Sequence, residues 1–128
     1  GVNTMRVFLH DLLWQQDAKG FTKRLDTFLD LCQKHKIRPM LVLFDSCWHP
    51  YPKLGQQPAP TPGVHNSGWV QSPGAAALSD PAQYARLERY VKGVVGAFRN
   101  DKRVLMWDIW NEPDNANGNS YGNEGGNK

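Results

Sequence analysis

The chain has 128 residues, a formal net charge of +3 and two cysteines. That length fits a single core, two thiols are too few for a disulfide scaffold, and no run of about 18 apolar residues is available to span a membrane. The basic residues Lys19, Lys23, Arg24, Lys34, Lys36 and Arg38 are interrupted by Asp26 and Asp30 and belong to no nucleic-acid-binding module, so they read as a solvated helix face.

The start, Gly1-Val2-Asn3-Thr4-Met5, reads as strand rather than leader, which leaves the compartment open. Thr4 to Leu9 is the first predicted strand, followed by a predicted loop from His10 to Lys19 that carries Asp11, Trp14 and Asp17. From Phe21 to Lys36 the apolar residues Phe21, Leu25, Phe28, Leu29 and Cys32 have the spacing of an amphipathic helix, and His35 sits at its end, where a cation complements the dipole. Ile37 to Phe44 is nearly all apolar after Pro39, the pattern of a parallel strand covered on both faces. Cys32 and Cys47 then lie at opposite ends of this strand, roughly 25 Å apart at about 3.3 Å per residue. A disulfide needs Cα atoms within about 7 Å, so none is expected.

Ser46 to Asp80 is a long Pro- and Gly-rich loop containing Trp48, His49, Tyr51, His65 and Trp69. Loops of this length in compact domains usually carry function or are disordered. Asp80-Pro81 supplies an N-cap and a first-turn proline, and Tyr84, Leu87, Val91, Val95 and Phe98 continue a helix at spacings of three and four. Gly93 and Gly96 interrupt it and suit close packing on a sheet. Val104 to Ile109 is the third predicted strand. Residues 1–113 thus form one α/β unit with a long loop at 46–80. Residues 114–128, rich in Asn and Gly with Tyr121 as the one aromatic, read as a flexible tail.

The alternation strand, helix, strand, loop, helix, strand implies right-handed crossovers and a parallel βαβαβ sheet. The segments after each strand (His10–Trp14, Asp45–Trp69 and Asn111 onward) must then share one sheet edge. The polar and aromatic residues converge there.

The chemistry-bearing motif is Val104-Leu105-Met106-Trp107-Asp108-Ile109-Trp110-Asn111-Glu112-Pro113. A Glu at the carboxyl end of a buried strand tends to be desolvated, which raises its pKa toward that of a useful proton donor. Pro113 cannot continue a ladder and turns the chain out of the sheet. The plainer reading is a polar strand exit with an N-capping Asn. Asp45, Cys47, His49 and His65 are metal-ligand types, but their spacing matches no recognised zinc pattern. With no nucleophile elbow and no phosphate-binding Gly loop, no metal or cofactor is expected.

These residues resemble the retaining glycoside hydrolases with a (β/α)8 barrel, of the family 5 cellulase and mannanase type. The likeness rests on Gly1-Val2-Asn3-Thr4-Met5-Arg6-Val7, Val42-Leu43-Phe44-Asp45 and Trp110-Asn111-Glu112-Pro113, which span nearly the whole chain in order. The resemblance implies that these are about the second to fourth of eight strands, an incomplete barrel. It implies Glu112 as general acid/base, Asn111 as the residue bonding the sugar 2-hydroxyl, and Arg6 as support for a nucleophilic carboxylate. The family places a His shortly after the Asp of the third barrel strand. Here Asp45-Ser46-Cys47-Trp48-His49 puts Cys47 at about that place, with His49 as a substitute from the loop.

A retaining mechanism needs two carboxylates about 5 Å apart, and the family's nucleophile comes from the seventh strand, beyond Lys128. Of the acids here, Glu88 falls on a helix and Glu124 in the tail, so Asp45 and Asp108 are the ones able to approach Glu112. Asp108 should share the face of Glu112 and reads as a buried Asp satisfied by hydrogen bonds inside the barrel layer. Trp14, Trp48, Tyr51, Trp69 and Trp110 are able to stack on sugar rings. Trp48 and Trp69, on the loop, are the better platforms, and at least one of Trp107 and Trp110 is core.

The expectation is a segment of an enzyme acting on β-linked polysaccharide, carrying the acid/base and not the nucleophile, and inactive or weak as an isolated chain. The alternative is a non-catalytic carbohydrate-binding or self-assembling fragment. The expected partners are a polysaccharide or oligosaccharide, not nucleic acid or membrane. Two open sheet edges point to a homo-oligomer or to residence in a longer chain, with a secreted or periplasmic parent enzyme compatible.

Overall fold

The computed structural model describes residues 1–57 and 59–115. Its elements are β1 (Thr4–Phe8), α1 (Asp11–Gln16), α2 (Ala18–Lys34), β2 (Arg38–Asp45), α3 (Ala75–Leu78), α4 (Tyr84–Phe98) and β3 (Met106–Asn111). The three strands form one parallel sheet in the order β1-β2-β3. The α/β alternation and parallel pairing expected from the sequence are therefore present.

The register fixes which residues share a face. Val7, Leu41 and Trp107 pair across the sheet and join the core under the helices, together with Leu9 and Leu43. The helices answer with Phe21, Leu25 and Leu29 from α2 and Leu87, Tyr90, Val94 and Phe98 from α4. Tyr90 is fully buried, meets Phe44 with ring centroids 5.5 Å apart, and donates its hydroxyl to the Leu43 carbonyl at 3.0 Å. Both Trp107 and Trp110 pack on this cluster, one more than the sequence demanded. On the opposite face the rows Arg6–Met40–Met106 and Phe8–Val42–Asp108 lie in register.

Two boundaries differ instructively from expectation. The segment expected as a loop from His10 to Lys19 instead holds α1 and the start of α2. His10 caps α1 by accepting from Leu12 N at 3.2 Å, and Asp17 caps α2 by accepting from Gly20 N at 2.8 Å. A helix of six residues is too short to show an apolar period, so its two caps were its available signal. β3 starts later and runs further than Val104 to Ile109, because Val104 N bonds Asp101 O at 3.1 Å in a turn. Leu105 N then enters the sheet on Pro39 O at 2.8 Å.

The remaining signals fall where expected. Asp80 accepts from Ala82 N at 3.0 Å, with Pro81 opening a 3-10 turn that leads into α4. His35 is the C-cap of α2, and both cysteines are free. Within the loop after β2, Asp45 pairs antiparallel with Ser72 and His49 pairs parallel with Val70, so the loop folds back over the strand end. Among the described residues no helix is long and apolar enough to cross a membrane. The expected tail, with Tyr121 and Glu124, lies outside the described residues except for Asp114 and Asn115.

Candidate functional site

The carboxyl ends of β2 and β3 arrive together, with Asp45 opposite Asn111 in the register and Ser46 N bonded to Asn111 O at 3.1 Å. The Asp45 backbone is clamped a second time by Ser72, through bonds of 2.8 and 3.1 Å. Its side chain is fixed as tightly: Oδ1 accepts from Asn111 Nδ2 at 2.7 Å and from Cys47 N at 3.0 Å. Burial pushes the Asp45 carboxyl above its ordinary value, and the Asn111 and Cys47 donors pull it part of the way back.

One residue beyond β3, Glu112 has φ +51°, a left-handed backbone uncommon for any residue other than Gly. Such a conformation costs on the order of 1 kcal/mol and persists where the surroundings over-determine it. Glu112 O accepts from Asn115 N at 3.1 Å across Pro113-Asp114, a turn with proline in its favoured second place. The exposed Glu112 carboxylate meets two donors at Oε2, the Cys47 thiol at 3.3 Å and Asn115 Nδ2 at 2.7 Å.

Cys47 therefore stands at the centre of the cluster. Its sulfur also lies 3.9 Å from Asn111 Nδ2 and 3.7 Å from Asn115 Nδ2. Its thiol is pushed up to about 12, first by burial and then by the hydrogen bond to Glu112 and the nearby carboxylate charges. It is thus a neutral S–H donor at physiological pH. Asn115 has no counterpart among the expected site residues. The Glu-Pro-Asp-Asn turn was the signal that could have found it.

Beside this cluster lies an aromatic strip. Arg6 forms an ion pair with Asp108 of β3 and stands over the Phe8 ring, 5.2 Å from its centroid. Asp108 also accepts from Trp110 N at 3.2 Å, so it is hydrogen-bonded, but it is half-buried rather than the buried Asp expected. Phe8 packs edge-on against Trp69 at 5.0 Å, and the two line an open cleft of about 190 Å³ together with Asp45 and Val70. Asp45 thus links the Glu112 cluster to the exposed face of Trp69.

Other expected platforms are placed differently. Trp48 sits 6.3 Å from His65, and its buried indole Nε1 has no hydrogen-bond partner among the described residues. His49 points its Nδ1 at Tyr51 N, 3.3 Å away, while its backbone N bonds Trp69 O at 3.1 Å. Its ring makes no hydrogen bond to Glu112 among the described residues, so Cys47 alone of the two meets the carboxylate. Trp14, placed in a loop from sequence, is instead a packing residue of α1, 6.0 Å from the Tyr90 ring. Among the described residues no group of three or more His, Cys, Asp or Glu is arranged to hold a metal ion.

No family model, curated protein or solved structure matches the chain.

Proposed function

We propose that this chain is the acid/base portion of a retaining glycoside hydrolase with a (β/α)8 barrel, acting on β-linked polysaccharide. The observation that carries the reading is the pairing of Asn111 and Glu112 at the carboxyl edge of a parallel sheet, beside an aromatic-lined cleft. Glu112 is exposed, with Oε2 held by two donors, and is available to give a proton to a departing glycosidic oxygen. Asn111 is anchored through its amide by Asp45, which suits it to a fixed contact with a sugar hydroxyl. Trp69 offers an exposed ring for the apolar face of a sugar, with Trp48 and His49 on the same folded-back loop.

The two acids nearest Glu112 are both committed. Asp45 is buried, and its carboxylate is taken up by the Asn111 amide and the Cys47 backbone N–H. Asp108 is paired with Arg6. In this reading the nucleophile belongs to another strand, about 5 Å from Glu112, and Arg6 turns from Asp108 toward it. Among the described residues β1 and β3 are the edge strands of the sheet, which supports the same view, since a barrel would pair both.

A second reading is favoured by one observation. Met106 and Ile109 on β3 are 47% and 64% exposed, an apolar margin beside an unpaired edge. In that reading the chain is a self-assembling or sugar-binding fragment without turnover.

Turnover of an aryl β-glycoside separates the two. Hydrolysis that falls at least 100-fold in Glu112→Gln, a loss of the size general acid catalysis contributes, supports the enzyme. Oligosaccharide binding without turnover in either protein supports the fragment. Sedimentation reports whether copies associate, and a stable monomer would count against self-assembly.

A further inference from the structure

We propose that Cys47 is a positioning residue for Glu112: its S–H and the Asn115 amide occupy Oε2, which leaves Oε1 as the oxygen that carries the transferable proton. This rests on the glycoside-hydrolase reading for its catalytic meaning, but its geometry stands independently. The thiol donates to Oε2 at 3.3 Å and Asn115 Nδ2 donates at 2.7 Å, so that oxygen has two donors and no need of a proton. Among the described residues Oε1 has no hydrogen-bond partner. A carboxylic acid with one oxygen already receiving two donors protonates on the other.

The thiol is itself held in place, which separates it from an incidental neighbour. Cys47 is 1% exposed, and its backbone N is fixed on Asp45 Oδ1 at 3.0 Å. Asp45 is in turn clamped by Asn111 and Ser72. One carboxylate therefore orients both the residue before the acid/base and the thiol that meets it. Burial keeps the thiol neutral, so it acts as a donor and adds no negative charge between Asp45 and Glu112. Among the described residues, the charged and titratable groups near Glu112 include Cys47 and Asp45 from the end of β2, with Arg6 acting on Asp45 from β1, Asp108 tied to Arg6, and Asp114 in the turn that follows Glu112.

The sign of the effect follows. A donor to the ionised carboxylate favours that form, so removing the thiol weakens the hold on it. The test is titration of the Glu112 carboxyl by carbon-detected NMR in the full chain, with Cys47→Ala and Cys47→Ser. The apolar variant is expected to move the midpoint upward from that of the wild type, while serine, which keeps a donor, does not. A purely structural role would disturb both variants alike and leave the midpoint where it was. If alanine leaves a void that unfolds the protein, Cys47→Val removes the donor at closer volume. Equal midpoints in wild type, Ser and the apolar variant would overturn the proposal. Where the wild type turns over an aryl β-glycoside, the alkaline limb of kcat/KM moves upward in the apolar variant and not in Cys47→Ser. A shifted titration in a protein that binds no β-linked oligosaccharide would retain the positioning role and count against the enzyme reading instead.

Discussion

Arg86 of α4 reaches the fully buried carboxylate of Asp11 at the start of α1, with Nη1 2.5 Å from Oδ2. The other oxygen, Oδ1, accepts from Ser72 Oγ at 2.7 Å, and Ser72 is the residue that clamps the Asp45 backbone. One buried ion pair thus ties α1, α4 and the folded-back loop to the sheet edge that carries the site. Removing the cation leaves an uncompensated buried charge, which costs far more than the pair contributes. Arg86→Met is expected to lower unfolding stability by about 3–5 kcal/mol in urea. The double change Asp11→Asn with Arg86→Met should cost less than Arg86→Met alone. A single Arg86→Met within about 1 kcal/mol of wild type would show that the pair is not buried in solution.

The two interior glycines of α4 predict opposite outcomes. A Cβ on Gly93 would sit 2.3 Å from Trp14 Cζ2, whereas a Cβ on Gly96 would meet nothing within 4 Å. Gly96→Ala removes the entropic penalty of a helical glycine and should stabilise by about 0.5–1 kcal/mol. Gly93→Ala gains the same term but forces the indole of Trp14 aside, so overpacking of about 1–3 kcal/mol outweighs it. Thermal unfolding followed by circular dichroism reads both, and a shift in tryptophan emission should accompany Gly93→Ala only.

That contrast shows why sequence patterning carried some features and not others. Apolar runs such as Met40 to Phe44, and the spacing of Leu87, Val91, Val95 and Phe98, report burial directly, so the strands, the long helices and the parallel alternation could be read. Gly93 was read as a contact with the sheet, yet the partner that needs its missing side chain is Trp14, from a six-residue helix with no period of its own. At the site, Asn111 and Glu112 announced themselves by residue type at a strand end. Cys47 looked like a departure from a pattern, and its meaning emerged from the Asp45 bond that aims it at Glu112. Asn115 was taken for tail. Long-range pairings such as Asp45 with Ser72 leave no local signature at all.

Arg103 provides a pH-dependent prediction away from the site. Its guanidinium gathers Asp26 at 2.6 Å, Asp30 at 2.5 Å and Asp101 at 2.6 Å, pinning the turn before β3 to α2. The Arg103 hydrogen bond holds the Asp101 carboxyl below its ordinary value. A depressed carboxylate contributes stability above its unfolded pKa, about 3.9, and loses it as pH falls through the lower folded value. Arg103→Met should therefore be destabilised by on the order of 1 kcal/mol near pH 6, with the gap to wild type closing below about pH 3. A gap of constant size across that range would assign the loss to the packing of the Arg103 stem instead.

The thiols complete the picture of a closed site base beneath an exposed Glu112. Cys47 and Cys32 are 1% and 5% exposed, and burial is the first cause of the raised thiol pKa in each. A folded thiol raised above its unfolded value stays neutral as pH climbs. It contributes stability below about pH 8.5, and for Cys47 that contribution fades as pH approaches about 12. Since the thiolate is the reactive form, neither residue should react with a disulfide reagent such as Ellman's at pH 8 in the folded protein. Both should react at once in guanidinium, giving two equivalents per chain. A Cys47 that reacts at the rate of a free thiol at pH 8 would mean that water reaches the sulfur. The ring of Asp45, Asn111, Asn115 and Glu112 around it would then be open in solution.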